Sequence, residues 1–273
     1  MGDRRMVNAE ASGRRVLVTG GTGNLGRRVV PELLRAGLRV RVLTRRPAPA
    51  EVTGSGWQHV EWQQGDYHSG AGLAAALDDV DTLLHTAHDP QHPAQDLLGV
   101  ERLLGYSRAA GLRHFVQVGI VGAAQVRGFA YYAAKTRAET LVAHSGLASS
   151  VFRATQFHSF VASLLLGLER LPVAVVPAGT LQPVDITEVA QALARHVIRA
   201  ETGSEEFAGP EILSIADLTR LHLAARGLHR RVVPVRLPLA ALRAVEAGVL
   251  TSSSAARGQV TFEQWLEGQV RGG

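Results

Sequence analysis

A chain of 273 residues with 46% hydrophobic and 19% charged side chains is long and apolar enough to bury a sizeable core. It has no cysteine, which excludes disulfides and thiolate chemistry, whether at a metal or as a nucleophile. The formal charge of +5 comes from arginines such as Arg27, Arg28, Arg45, Arg46, Arg102, Arg153, Arg195 and Arg230, scattered without an aromatic-interleaved stripe, which argues against nucleic acid as a partner.

No apolar run follows the basic start, and the longest apolar stretch, Val161 to Leu168, is far short of the ~20 residues that span a bilayer. A soluble, cytoplasmic protein without a membrane segment is expected.

Residues 1–13 are polar and aperiodic and read as a disordered tail. Arg15–Thr19 is a short apolar run ending in glycines, the pattern of a buried strand. Leu25, Val29, Val30, Leu33 and Leu34 fall at helical spacing, which predicts a helix over Asn24–Ala36 stopped by Gly37. Strands follow at Val40–Leu43 and Gln58–Gln63, then a helix near Leu73–Leu77 and a strand at Asp81–His85. A helix over Asp96–Ala110, a strand at His114–Val118, a helix over Ala130–His144 and a strand at Ser150–Arg153 continue the rhythm. Strands alternating with helices imply right-handed crossovers and a parallel sheet covered on both faces: an α/β, Rossmann-type, doubly wound fold.

Beyond Arg153 the alternation loosens, with a helix over Phe157–Leu168, a strand at Val173–Val176 and a helix over Thr187–Ala200. The expected organisation is an NAD(P)-binding core over 14–155. Residues 156–273 then form a small C-terminal substrate lobe, completing the sheet and covering the substrate cleft.

The turn after the first strand reads Gly20-Gly21-Thr22-Gly23-Asn24-Leu25-Gly26. It satisfies G-x-G-x-x-G through Gly21, Gly23 and Gly26, and G-x-x-G-x-x-G through Gly20, Gly23 and Gly26. Glycine permits the tight turn and the close approach of backbone to a pyrophosphate, which the following helix N-terminus attracts. Gly20, Thr22, Gly23, Asn24, Leu25 and Gly26 are the expected phosphate cradle, with a merely glycine-rich turn as the alternative.

At the end of the second strand an NAD-selective fold carries an acidic residue for the ribose hydroxyls. Here the chain reads Thr44-Arg45-Arg46-Pro47, with no acid before Glu51. A carboxylate would repel a 2′-phosphate, whereas guanidinium grips one through paired charge-assisted bonds. NADP(H) is expected in preference to NAD(H), unless the two arginines are simply solvated. Gly65-Asp66-Tyr67 after the third strand can place a carboxylate beside the adenine amino group, and Thr86-Ala87-His88 after the fourth lines the cofactor.

Tyr131-Tyr132-Ala133-Ala134-Lys135 contains Y-x-x-x-K, which puts Tyr131 and Lys135 on one helical face. A nearby ammonium favours tyrosinate and lets a phenol exchange protons near neutral pH, so these two are the candidate catalytic pair. Lys135 is also the only lysine in the chain. Its retention where every other non-histidine cation is arginine suggests a need for a compact ammonium on ribose, a leftover surface lysine being the alternative.

Together the Gly20–Gly26 loop, Asp66, Tyr131 with Lys135, and Arg153-Ala154-Thr155-Gln156-Phe157-His158 resemble the atypical short-chain dehydrogenase/reductases. The similarity is to their NmrA-like and triphenylmethane-reductase-like branch. It extends from Arg14 to Ala200 and more loosely beyond, including Pro183-Val184-Asp185-Ile186 before a helix. It implies a Rossmann core with a C-terminal substrate lobe; separately, a monomer or homodimer is expected. In that superfamily the fifth strand usually ends with a Ser or Thr bonded to the substrate carbonyl, and here Gly119 stands in that place. His88, Gly119, Gln156, Phe157 and His158 are the substrate-side candidates, with Thr86 a further donor.

His85, His88 and His92 invite a metal reading, but without Cys or an acidic ligand set no metal is expected. Three functions stay open: an NADP(H)-dependent oxidoreductase acting on a carbonyl, quinone or related small molecule; a non-catalytic NADP(H)-binding redox sensor; and a cofactor-assisted epimerase or dehydratase. Phe157, Phe160, Leu164 and Leu165 suggest an aromatic or polyketide-like substrate, or simply core.

Overall fold

The structure is a computed structural model and describes residues 13–47 and 56–271. The tail expected over residues 1–13 lies, but for Gly13, outside the described residues, as does Glu51.

The first strand, β1 (Arg15–Thr19), is buried throughout, as its unbroken apolar centre requires. Then come α1 (Gly26–Arg35), β2 (Arg39–Thr44), β3 (Glu61–Gln64), α2 (Leu73–Leu77), β4 (Thr82–His85), α3 (Pro93–Ala109), β5 (His114–Ile120), α4 (Ala130–Ala143) and β6 (Ser149–Ala154). The later part carries α5 (His158–Leu165), β7 (Val173–Pro177), β8 (Thr180–Leu181), α6 (Ile186–Arg199), β9 (Gly203–Ala208) and β10 (Leu213–Ser214). It ends with α7 (Ile215–Ala225), β11 (Arg231–Val235), α8 (Ala240–Glu246), β12 (Ala256–Arg257) and α9 (Phe262–Arg271).

Among the described residues eight strands form one sheet, in the order β12-β9-β6-β5-β4-β1-β2-β3. β1 pairs in parallel with both β2 and β4, β2 with β3, and β4 with β5. The run 3-2-1-4-5-6 within it is the strand order of the doubly wound dinucleotide fold. After β3 the chain returns past β1 and builds outward on the other side. In that topology the crossovers before and after the reversal run over opposite faces of the sheet, and the C-terminal ends of β1 and β4 mark the switch point at which folds of this kind take their ligands.

The described residues pack into two compact units: one from those up to Gly119 with Ala134–Phe152 and Ala190–Glu205, the other from Ile120–Ala133, Arg153–Val189 and those from Glu206 to Arg271. The first has a core around Leu17, Leu73, Leu83, Leu103 and Phe115. The second is centred on Val161, Leu165, Leu218, Leu250 and Phe262.

Several boundaries differ from expectation for local reasons. α1 starts at Gly26 because the residues before it form the turn in which Gly23 N–H donates to the Gly20 carbonyl at 2.9 Å. β3 begins later than Gln58, since Trp57 and Val60 close a turn at 3.0 Å. α3 opens at Pro93, where a missing N–H does no harm, and β5 runs on to Ile120. α5 stops at Leu165 and tightens into a 3₁₀ turn over Leu166–Arg170, within which Gly167 falls.

Candidate cofactor site and the helix bearing Tyr131

The turn between β1 and α1 is held by contacts that only glycine tolerates. Gly20 has φ +71°, and a Cβ there would lie 2.6 Å from the Ala87 nitrogen. One on Gly21 would meet Val42 at 2.7 Å, and one on Gly26 would meet the Gly20 carbonyl oxygen at 2.1 Å. Gly23 differs: its only neighbour within 4 Å would be the Gly20 oxygen, at 3.1 Å. Packing therefore accounts for three of these glycines, while Gly23 leaves open ground against the backbone.

That open ground lies at the N-terminus of α1, whose N-cap Leu25 makes no side-chain cap and whose first turn has no acid. Arg27 donates to the Thr22 carbonyl at 3.0 Å, and Arg28 to the Asn24 backbone and side-chain oxygens at 2.8 and 2.7 Å, so two guanidiniums brace the loop. An uncapped positive helix end beside a bare glycine backbone fits a pyrophosphate.

At the end of β2, Thr44 accepts from the Arg46 N–H at 3.3 Å and donates to the Arg46 carbonyl at 2.8 Å. This local turn presents Arg45 and Arg46 to solvent. After β3, Asp66 Oδ1 accepts from the His68 N–H at 3.0 Å and the carboxylate stays 29% exposed. Tyr67 is turned inward: it packs in the first unit's core and donates its hydroxyl to Asp96 Oδ1 at 2.5 Å. What Tyr67 can offer a cofactor is therefore backbone, not phenol.

At the end of β4, Thr86 donates to the Thr19 carbonyl at 2.7 Å, tying the two strand ends together. His85 is buried with Nδ1 2.7 Å from Thr19 Oγ1, and burial, helped by the Lys135 charge, pushes it down to about 3. His88 is lowered by the same two causes in the same order. Both imidazoles are neutral at physiological pH. Lys135 is 7% exposed; burial lowers its pKa, and Asp96 and Glu139 act in the opposite direction. Among the described residues no three His, Asp or Glu side chains are gathered to ligate a metal.

Tyr131 lies one turn before Lys135 on α4 and is half-buried, in ring contact with Tyr132 at 5.7 Å. Tyr132 faces elsewhere, packing against the second unit's core and Phe129, and burial raises its pKa. Gly119 sits within β5 rather than after it and contributes no hydroxyl.

Two substrate-side candidates are committed to internal bonds. Gln156 is buried, donating to the Leu250 carbonyl at 3.1 Å and accepting from the Gln182 N–H at 3.3 Å. His158 is 1% exposed, with Nε2 3.0 Å from the Val260 carbonyl and its ring against Phe262 and Trp265. Phe157, half-buried, bridges to Val184. A buried Gln or His with such partners stabilises the fold, and neither offers its bonded atoms to a substrate. Asp96 is a buried charged residue that the sequence did not single out. An acid in a helix's first turn ordinarily signals only a favourable dipole, and Tyr67, 29 residues earlier, reveals the burial.

The NAD(P)H-binding family matches residues 20–159, which include the glycine loop, Asp66, Tyr131 and Lys135. A (4-alkanoyl-5-oxo-2,5-dihydrofuran-3-yl)methyl phosphate reductase from Streptomyces griseus is 32% identical over 214 residues, covering 75% of this chain and 71% of the relative. An NADPH-dependent quinone oxidoreductase from Escherichia coli, solved with NADPH, superposes with a TM-score of 0.78 at 19% identity, covering 93% of this chain and 99% of that one. A Citrobacter triphenylmethane reductase complexed with NADP(H) gives 0.76 at 17% identity, covering 94% and 99%. The match across half the chain and the similarity to the Streptomyces reductase place this protein in the NAD(P)H-binding family of Rossmann-fold, short-chain dehydrogenase/reductase-like proteins.

Proposed function

We propose that this protein is an NADP(H)-dependent reductase that delivers hydride to a carbonyl, quinone or related electron-poor small molecule. The observation that carries the reading is the chain's single lysine, buried on α4 one turn after Tyr131. A buried ammonium is expensive to keep, and an exposed arginine would replace a surface lysine without loss.

In this reading residues 14–155 hold the cofactor and residues 156–273 supply the substrate lobe. The Gly20–Gly26 loop takes the pyrophosphate, Arg45 and Arg46 the 2′-phosphate, Asp66 the adenine edge, and Lys135 the ribose hydroxyls. Bound NADPH supplies the hydride. Tyr131 donates its phenolic proton to the oxygen that gains negative charge, and Lys135 eases the loss of that proton.

Gly119 narrows the substrate. A simple ketone leans on a hydroxyl donor to polarise its carbonyl, whereas a quinone or conjugated enone spreads the incoming charge over its own π-system. The Streptomyces relative is named for a conjugated lactone, which supports this class. The test is NADPH oxidation, followed by nicotinamide absorbance, against quinones, enones, conjugated lactones and simple ketones. Turnover of the conjugated compounds is expected. A second reading, binding without chemistry, is favoured by Gly119 together with the internal bonding of Gln156 and His158. It wins if NADPH binds tightly and none of these compounds is reduced.

A further inference from the structure

The arginines that read as scattered in the sequence gather in one place. Between Asp217 and Glu246 the chain carries six arginines and no acid. That stretch holds a formal +6 against +5 for the whole chain, so the remaining residues are together slightly negative. It runs from α7 through β11 to α8, within the second unit.

The same stretch forms a cavity of about 460 Å³, lined by Arg220, Leu223, Ala224, Leu228, His229 and Arg230. Its apolar wall follows from how α7 ends. Gly227, at φ +68°, lets the chain turn back on the helix. Its N–H then donates to the Ala224 carbonyl and the Leu228 N–H to the Leu223 carbonyl, both at 2.9 Å. These two bonds make a Schellman stop, which sets Leu228 beside Leu223 at the wall of the cavity.

Cations at a helix C-terminus ordinarily answer its dipole. Here the backbone already serves two of those carbonyls, and the acids bonded to α7 are engaged. Asp217 accepts from Arg220 Nη1 at 2.6 Å, and Glu169 Oε1 lies 2.8 Å from His222 Nε2 and 3.7 Å from Arg226 Nε. His229 and Arg230 are exposed just past the helix and meet no acid among the described residues.

We propose that this cavity binds an organic anion with an apolar body, its head held by Arg220, His229 and Arg230 and its body set against Leu223, Ala224 and Leu228. Small-molecule sites typically measure ~300–1,000 Å³, which this cavity satisfies. Guanidinium groups supply the charge-assisted bonds that a carboxylate or phosphate takes. The stretch has no aromatic side chain on which a base could stack. Leu223 is recessed and 1% exposed, a geometry for one inserted molecule and not for the face of a bilayer. The site lies wholly in the second unit and does not depend on the cofactor reading.

Calorimetry on the full-length chain tests this with octanoate, which has both parts, beside acetate and octanol, which have one each. Octanoate is expected to bind at least ~10-fold more tightly than either. Arg230→Gln should weaken octanoate by ~10-fold or more. Ala224→Glu sets a carboxylate on an exposed wall position and should abolish binding. Arg243→Gln removes the same charge from the same stretch, outside the cavity, and should leave the affinity unchanged. Equal weakening by Arg230→Gln and Arg243→Gln would reduce the effect to net charge and overturn the proposal. Octanoate that binds Arg230→Gln as tightly as wild type occupies another site, which overturns it as well. So does acetate or octanol binding as tightly as octanoate. Cosedimentation with phosphatidylglycerol vesicles in place of octanoate binding would assign the arginines to a lipid surface and reject the cavity.

Discussion

A Cβ on Gly20 would stand 2.6 Å from the backbone nitrogen of Ala87, so the turns after β1 and β4 meet backbone to backbone. The two glycines at the head of the loop and its centre therefore do different work. Gly20→Ala forces both a clash and a left-handed alanine, and should lower stability by at least ~1 kcal/mol in urea unfolding. Gly23→Val meets only the Gly20 oxygen, at 3.1 Å, and should fold while losing NADPH binding in calorimetry. Normal NADPH affinity in folded Gly23→Val would remove the loop from the cofactor site.

Cofactor choice should follow the exposed pair at the end of β2. Arg45→Ala or Arg46→Ala should weaken NADPH far more than NADH, since only NADPH has the 2′-phosphate. One charged contact typically contributes ~1.5–3 kcal/mol, or roughly 10- to 150-fold in affinity. Titration of both cofactors into the wild type and both variants checks this, and equal wild-type affinities for NADPH and NADH would refute it.

Much of the first unit was legible because a buried parallel strand writes itself as an unbroken apolar run. Val16–Val18 and Leu83–Leu84 do so, and Gly37 marks the end of α1 plainly. The turn after β1 was legible as a strand-to-helix turn because the positive φ of Gly20 and the close approaches at Gly21 and Gly26 ask for glycine. Beyond Ala200 the signals fade: β9 carries two glutamates, and the two-residue strands β8, β10 and β12 are too short for any period. α7 was not read from the sequence, although Ser214 accepts from the Asp217 N–H at 3.0 Å, a cap that the S-x-x-D spacing would have signalled. The commitment of Gln156, His158 and Tyr67 to internal partners depends on residues far along the chain and has no local signature.

Acid should destabilise the fold in a defined window. His114 is 3% exposed, both its ring nitrogens lack partners, and burial, with His196 and Arg14 nearby, pushes it down to about 4. His85 is pushed to about 3. In both, the unfolded chain takes up a proton near the ordinary value of 6.5 while the folded chain resists it. Stability is therefore fully present above that value and falls as pH drops toward the folded values. Each group should remove roughly 2 kcal/mol between neutrality and pH ~5. Urea midpoints across this range should decline, and His114→Leu should remove part of the slope. An unchanged slope in the variant would show that His114 takes no part.

The central claim, that Tyr131 protonates a substrate reduced by NADPH, is tested most directly by steady-state reduction of the best conjugated substrate with wild type, Tyr131→Phe and Tyr132→Phe. Tyr132 points about 100° away around the helix and packs into apolar core, so it serves as the internal control. Tyr131→Phe should lower kcat by ~10²–10⁴-fold with NADPH affinity nearly intact, while Tyr132→Phe stays close to wild type. Wild-type turnover by Tyr131→Phe would contradict the account and remove the phenol from the chemistry.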